Sequence, residues 1–276
     1  MHSFQKIVIF GPYKSGTTGL FYKIKNSLQH NTRYLFEATE YLAENADDDR
    51  NVLAKVILAV NGEQLGYRYN TFMNFHKKIL LTRDPRDLIV SGTLFFLQQE
   101  PSIYNNKDRL DKLLALLRRK EQNPKSLSGK EILEQIIAES DNLTLADFIQ
   151  WLNTQYQWLP EFEKSLHDYH RLRYEDFVDG NLSKLEEYLN LTLTGSASVD
   201  DIHSHVPRSI NHGNWKNWFS GDEDIRFFQP FLQKYIQVYG YDEEWILNDN
   251  PIIDPSHCSN YVENVVQKRL YKQCQT

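Results

Sequence analysis

Ile7-Val8-Ile9-Phe10-Gly11-Pro12-Tyr13-Lys14-Ser15-Gly16-Thr17-Thr18 is the stretch around which the chain is organised. Its first four residues form a short apolar run rich in β-branched side chains, which predicts a buried strand. Gly11-Pro12 ends that strand as a turn. Gly16-Thr17-Thr18 then opens an apolar-periodic stretch that runs to about Leu28 and predicts a helix. Strand, glycine-containing turn and helix start make a phosphate cradle, in which free backbone N–H groups and the helix dipole face an anion. The Lys14 ammonium and the Ser15, Thr17 and Thr18 hydroxyls are candidate further donors.

Outward from this stretch, β-like and helical segments alternate. Arg33 to Phe36 predicts a second strand ending at Glu37. Glu40 lies one helical turn further, in an expected helix to about Ala46. Val52 to Val60 predicts a third strand, apolar except for Lys55, whose charge must be satisfied. That lysine either snorkels to solvent or points into a polar site. Residues 62 to 74 predict a helix with loops. Lys78 to Thr82 predicts a fourth strand, running into Arg83-Asp84-Pro85-Arg86-Asp87. Pro85 suits the first turn of the helix that follows, over Asp87 to Gln98.

Residues 101 to 165 contain no strand signal. Leu110, Leu113, Leu114 and Leu117 have helical spacing, as do Ile132, Ile136 and Ile137, then Phe148, Leu152, Tyr156 and Leu159. Three helices follow from this, forming a cap or one flank. His170 to Tyr174 predicts another strand, Leu182 to Leu189 a helix, and Glu223 to Tyr239 a further helix, while the last 35 residues carry no clear assignment. The expectation is a single α/β domain over residues 1–276, with a central parallel sheet flanked by helices and residues 101–165 as a helical cap or insertion.

Of the 276 residues, 41% are hydrophobic and 13% aromatic, ample for a sizeable core. The net charge of −6 speaks against nonspecific nucleic-acid binding. Acidic runs at Glu44 to Asp49 and Asp222 to Asp224 suit solvated loops and helix starts. Cys258 and Cys274 make neither a disulfide framework nor a metal-ligand spacing. No apolar stretch approaches the ~20 residues of a membrane span, and no signal peptide is legible. A cytoplasmic location is expected.

Against the general P-loop pattern G-x-x-x-x-G-K-[ST], Gly11, Gly16 and Thr18 fit. Thr17 stands at the lysine position and the lysine has moved to Lys14, which argues against gripping a nucleoside triphosphate. P-x-K-S-G-T-T after an N-terminal strand resembles instead the 5′-phosphosulfate loop of sulfotransferases that use 3′-phosphoadenosine 5′-phosphosulfate (PAPS). Three further stretches are similar to that family, in the right order. Arg83 and Ser91, eight residues apart, match the pair that holds the ribose 3′-phosphate, a fork and a hydroxyl on a dianion. Arg173-Tyr174-Glu175-Asp176-Phe177 is similar to the Y-E-D segment, whose tyrosine lies against adenine. Arg208 to Phe219 resembles R-K-G-x-x-G-x-W-K-N-x-F at Arg208, Gly213, Trp215, Lys216, Asn217 and Phe219. There Ser209 and Ile210 replace a lysine and a glycine, so one charge contact to the 3′-phosphate is missing.

The resemblance implies PAPS as cosubstrate and adenosine 3′,5′-bisphosphate as product, with no metal. It places the cosubstrate on Lys14, Ser15, Gly16, Thr17, Thr18, Gly19, Arg83, Ser91, Tyr174, Arg208 and Ser209. Gly19 stands where many members carry a tryptophan stacked on adenine, so that partner must come from elsewhere. Lys55 aligns with the lysine of a K-x-H strand, but Ile57 occupies the histidine position. Lys14 is expected beside the bridging oxygen and Lys55 near the transferring sulfonate. The expected base is Glu37, with Glu40 as its alternative. His76 is expected at the wrong end of the sheet, and His212 toward the nucleotide. The acceptor expected is a small molecule with a hydroxyl, amine or carbamoyl nitrogen, a cationic natural product of the saxitoxin type being one candidate. The rivals are a P-loop small-molecule kinase and a nucleotide-binding protein that has lost its base.

Overall fold

Five strands, β1 (Lys6–Pro12), β2 (Thr32–Leu35), β3 (Asn51–Leu58), β4 (Lys77–Thr82) and β5 (Tyr169–Arg173), form one all-parallel sheet in the order β2-β3-β1-β4-β5. The computed structural model describes residues 4–28, 31–60, 62–200 and 211–273. Helices α1 (Thr17–Ser27), α2 (Pro85–Gln99), α3 (Pro101–Tyr104), α4 (Lys107–Gln122), α5 (Gly129–Ala138), α6 (Leu145–Lys164), α7 (Tyr174–Val178), α8 (Ser183–Leu189), α9 (Trp215–Trp218), α10 (Asp222–Tyr239) and α11 (Ser259–Gln273) complete it. None among the described residues is long and apolar enough to cross a membrane.

The chain packs as two compact units. One comprises Met1–Arg83 and Gln157–Ile210, the other Asp84–Tyr156 and Asn211–Thr276. The second unit thus takes in most of the stretch 101–165 that the sequence marks as helical, together with residues 84–100 and 211–276, while residues 157–165 fall in the first unit.

The first unit contains the whole sheet. Strand β1 sits at its centre, with β3 on one side and β4 on the other. The strand order reverses there, and in open parallel sheets ligands bind beyond the strand C-termini at such a switch point. The loop that leaves β1 has the strand, turn and helix start that the sequence reads as a phosphate cradle. Alternation dictates the packing: Ile7, Ile9, Leu53, Ile79, Leu81 and Leu172 share a cluster with Leu20, Phe21 and Ile24 of α1 and Leu185 and Leu189 of α8. Phe10 belongs to the opposite face and meets Phe72 and Phe162 edge-on, at 6.3 and 5.4 Å between centroids.

The second unit is helical. Pro85 stands in the first turn of α2, whose start the Asp84 carboxylate caps by accepting from Arg86 N–H. Ser128 and Glu131 form a capping box on α5. The fully buried Asp224 carboxylate accepts from the N–H groups of Gly129, Lys130 and Ser220. Lys120, also fully buried, donates to the Pro124 and Leu127 carbonyls.

Strands β1 to β5 and helices α1, α2, α8 and α10 follow the sequence reading to within two residues, whereas residues 101–165 hold four helices where three were expected and the helix expected from Glu40 to about Ala46 is absent. Residues 38–44 are not helical, and only a single 3₁₀ turn forms at Asn45–Asp48. Neighbours take the backbone groups that a helix would pair internally. Ala38 N–H donates to Lys55 O, Tyr41 N–H to Thr71 Oγ1, and Thr39 O accepts from Arg68 N–H. The buried Asp47 carboxylate gathers Arg33, Arg50, Tyr41 and the Glu44 N–H around itself. Residues 62–74 likewise give turns and a 3₁₀ segment at Tyr69–Phe72. Helix α11 lies in the C-terminal stretch that the sequence leaves unassigned.

Candidate active site

The cradle is a tight turn held from within. Ser15 is fully buried, and both its N–H and its hydroxyl donate to Pro12 O, at 3.2 and 2.8 Å. Lys14 takes φ 65° and Gly16 φ 95°, so the chain passes twice through the left-handed region as it enters α1. A non-glycine residue tolerates this poorly, and position 16 has a second constraint. A Cβ there would lie 2.4 Å from Tyr174 Cδ2. The N-cap of α1, Gly16, has no side chain to close the helix start, and no acidic residue lies in its first turn. The N-terminal donors of α1 and its dipole are thus offered to an anion.

Arg83, at the end of β4, belongs to this cradle. It is 5% exposed, donates to the Lys14 carbonyl at 3.0 Å, and lays its guanidinium on the Tyr174 ring, 4.2 Å from the centroid. Tyr174, the first residue of α7, therefore touches both Gly16 and Arg83. Phe177, one turn along α7, packs with its centroid 6.4 Å from that of Tyr174 and its edge on Gly19. A Cβ at Gly19 would stand 3.2 Å from Phe177 Cε1. Thr17 and Thr18 are buried in the first turn of α1.

The acid–base candidates gather where β2 and β3 end. Lys55 is 1% exposed, with Nζ 2.7 Å from Glu37 Oε1 and 4.0 Å from the centroid of Phe36. Burial lowers its pKa, and Glu37 opposes that shift. Glu37 itself is half exposed, at 52% of its side chain, and adopts φ 52°. Glu40 pairs with Arg68 at 3.0 Å. Ile57 is buried and lies in register with Gly11 of β1, so the position beside the cradle is apolar. His76 accepts from Lys6 N–H at the start of β1, the sheet end remote from the cradle.

Tyr13 adds a polar group to this end of the sheet. Desolvation pushes its pKa up to about 12, reinforced by a hydrogen bond with Tyr67 and by the charge of Glu37. The Tyr67 ring leans on Tyr69, and the Tyr69 hydroxyl donates to the Ile57 carbonyl and accepts from Ala59 N–H.

Ser91 is buried on α2, in the second unit, and Arg208 and Ser209 lie outside the described residues. The matched residues after them build structure. Asp87, 1% exposed, accepts from Gly213 N–H at 2.6 Å and Trp215 N–H at 3.0 Å. Trp215 lies under the Arg86 guanidinium at 4.0 Å. Asn217 Oδ1 accepts from Asn248 and from Ile252 N–H. Arg86 was not singled out by the sequence. It is 1% exposed, forks the Asp84 carboxylate at 2.9 and 2.7 Å, and donates to Glu244 O. Of the two arginines in R-D-P-R-D, one lines the cradle and the other holds the fold. His212 is exposed.

No protein family matches the sequence, and no curated protein does. Among solved structures the chain is similar to mouse sulfotransferase SULT7A1 complexed with PAP, at 14% identity over 84% of each chain with a TM-score of 0.50. It also resembles the sulfotransferase domain from the curacin biosynthetic pathway, at 15% identity over 88% of this chain and 100% of that one with a TM-score of 0.42. The first likeness shows the fold, and the fold is that of the sulfotransferases.

Proposed function

We propose that the protein is a PAPS-dependent sulfotransferase acting on a small-molecule hydroxyl or nitrogen. The observation that carries the reading is the joining of Arg83 to the cradle. A buried guanidinium bonded to the loop carbonyl at Lys14 puts a fixed cation beside an uncapped helix N-terminus. That arrangement suits a ligand with two separate phosphate groups on one ribose better than it suits a single triphosphate tail.

PAPS, when bound, supplies a sulfuryl group on a phosphate leaving group. The α1 N-terminus and the Thr17 and Thr18 hydroxyls hold the 5′ end, while Ser15 shapes the turn. Lys14 neutralises charge that grows on the bridging oxygen as the S–O bond breaks, an electrostatic contribution of a few kcal/mol. Arg83 is assigned to the 3′-phosphate and Tyr174 to the nucleoside side of the cradle, while Ser91, Arg208 and Ser209 are assigned to the 3′-phosphate by the resemblance alone. No metal is assigned, because ammonium, guanidinium and backbone N–H groups do the neutralising.

The acceptor oxygen or nitrogen forms its bond to sulfur and gives its proton to Glu37. Lys55 acts through Glu37: it is buried under Phe36 and its ammonium, bonded to Oε1, holds the carboxylate in place. A cationic acceptor, such as a guanidinium compound of the saxitoxin type, fits the half-exposed Glu37 and the electron-rich Tyr13–Tyr67 pair beside it.

The test is transfer of label from [³⁵S]PAPS to a metabolite library, paired with calorimetry of adenosine 3′,5′-bisphosphate. Transfer in the absence of ATP and Mg²⁺, with bisphosphate bound far more tightly than AMP, is the expected result. Equal affinity for the two nucleotides, or transfer of phosphate from Mg·ATP, refutes the reading.

A further inference from the structure

Two glycines open α1, and a ring from α7 rests on each. Tyr174 stands on Gly16, where a Cβ would be 2.4 Å from its Cδ2, and Phe177 stands on Gly19, where a Cβ would be 3.2 Å from Cε1 and 3.5 Å from Cζ. The two rings are tilted by 57° to each other. They are not equivalent. The Tyr174 face carries the Arg83 guanidinium and the ring is 5% exposed. Phe177 is only partly buried, packed against the apolar cluster on one side. An apolar, partly exposed ring thus lies within the first turn of the helix whose N-terminus forms the cradle.

We infer that Phe177 is the ring on which the nucleobase of the bound nucleotide stacks, and that the missing side chain at Gly19 lets α7 supply it. The inference rests on the proposed binding of a nucleoside bisphosphate at the cradle. A base has two flat faces that water solvates poorly, and an aromatic ring is its general partner. A large side chain at position 19 would meet the Phe177 ring edge before it could reach a base. The aromatic can therefore stand at 19 or at 177, but not at both without a shift. A phenyl ring offers no hydrogen bond, so it grips any base by its face and leaves discrimination to the phosphate contacts.

The experiment is calorimetry with two probes, adenosine 3′,5′-bisphosphate and base-free ribose 3,5-bisphosphate. Phe177→Ala is expected to weaken the nucleotide by about tenfold and the base-free probe by less than about twofold, since the loss is confined to stacking. Phe177→Leu keeps apolar bulk against the core and should show the same split, which guards against a variant that fails to fold. Gly19→Trp alone should bind more weakly than wild type, because its side chain meets Phe177. Gly19→Trp combined with Phe177→Ala should recover nucleotide affinity relative to either single change. Equal loss for both probes, no loss for either, or no recovery in the double variant overturns the assignment. Wild-type protein that binds neither probe overturns the proposed function itself and, with it, this inference.

Discussion

Replacing Arg83 by alanine separates the two phosphates of the proposed ligand. Its guanidinium has five N–H donors, one of which goes to the Lys14 carbonyl. A charge-assisted hydrogen bond contributes ~1.5–3 kcal/mol, so loss of the 3′-phosphate contact lowers bisphosphate affinity by about 10- to 150-fold. The change also removes the stack on Tyr174 and the hold on the cradle, effects that reach any ligand of the α1 N-terminus. AMP, which lacks the 3′-phosphate, reports those shared effects alone. Arg83→Ala should therefore reduce the ratio of bisphosphate to AMP affinity by at least about tenfold. Arg83→Lys, which keeps charge but neither fork nor planar stack, should recover part of it. Calorimetry of both nucleotides on all three proteins, with thermal unfolding as a check on folding, decides the matter. An unchanged ratio would mean that Arg83 only braces the loop and that the 3′-phosphate assignment is wrong.

Lys14→Ala should lower kcat much more than nucleotide affinity, because its charge acts most strongly once the bridging oxygen turns negative; a change in KM alone would make Lys14 a ground-state contact. Glu37→Gln retains an oxygen for Lys55 to donate to and loses the base, so kcat should fall by ~10²–10⁴ with bisphosphate binding intact; near-normal turnover would move the role to Glu40. Lys120 gives a pH signature unrelated to activity. Burial pushes its pKa down to about 8 in the folded protein, against about 10.4 when unfolded. Between those values the unfolded chain holds the extra proton, so stability gained from this group rises with pH, by at most ~1.4 kcal/mol per unit. Thermal unfolding of wild type and Lys120→Met across that range should show the wild type gaining on the variant, and parallel curves would refute the shift.

The sheet was legible because its signals are local. Ile7 to Phe10, Lys78 to Thr82 and the helix starts at Thr17 and Pro85 each carry their periodicity and their turn residues within a few positions. The turn between β1 and α1 was legible for the same reason, and the apolar run from Lys78 to Thr82 marked the strand end before Arg83. What stayed hidden depends on register between segments. The salt bridge from Lys55 to Glu37 joins β3 to the turn after β2, and a charge in an apolar run does not name its partner. Helical reading of 38–46 failed because Asp47, Lys55 and Thr71 supply tertiary partners stronger than local propensity. Arg83 and Arg86 look alike in R-D-P-R-D. Only the packing tells them apart, one against Tyr174 and the other against Trp215. Phe177 was invisible as a neighbour of Gly19, since a glycine's sequence says nothing of which ring will lie on it.

The Asp87 carboxylate also sets a timetable. Its two backbone donors, Gly213 and Trp215, follow it by 126 and 128 residues. At ~5–20 residues per second of synthesis, roughly 6–25 s pass between emergence of the acid and emergence of those N–H groups. The neighbouring Asp84–Arg86 pair, two residues apart, can form at once. The start of α2 is thus shaped early by its own arginine and locked late by a segment from beyond residue 211. A nascent or truncated chain ending before that segment must keep Asp87 hydrated, which leaves the start of α2 open to chaperones and proteases until residues 213–215 have been made.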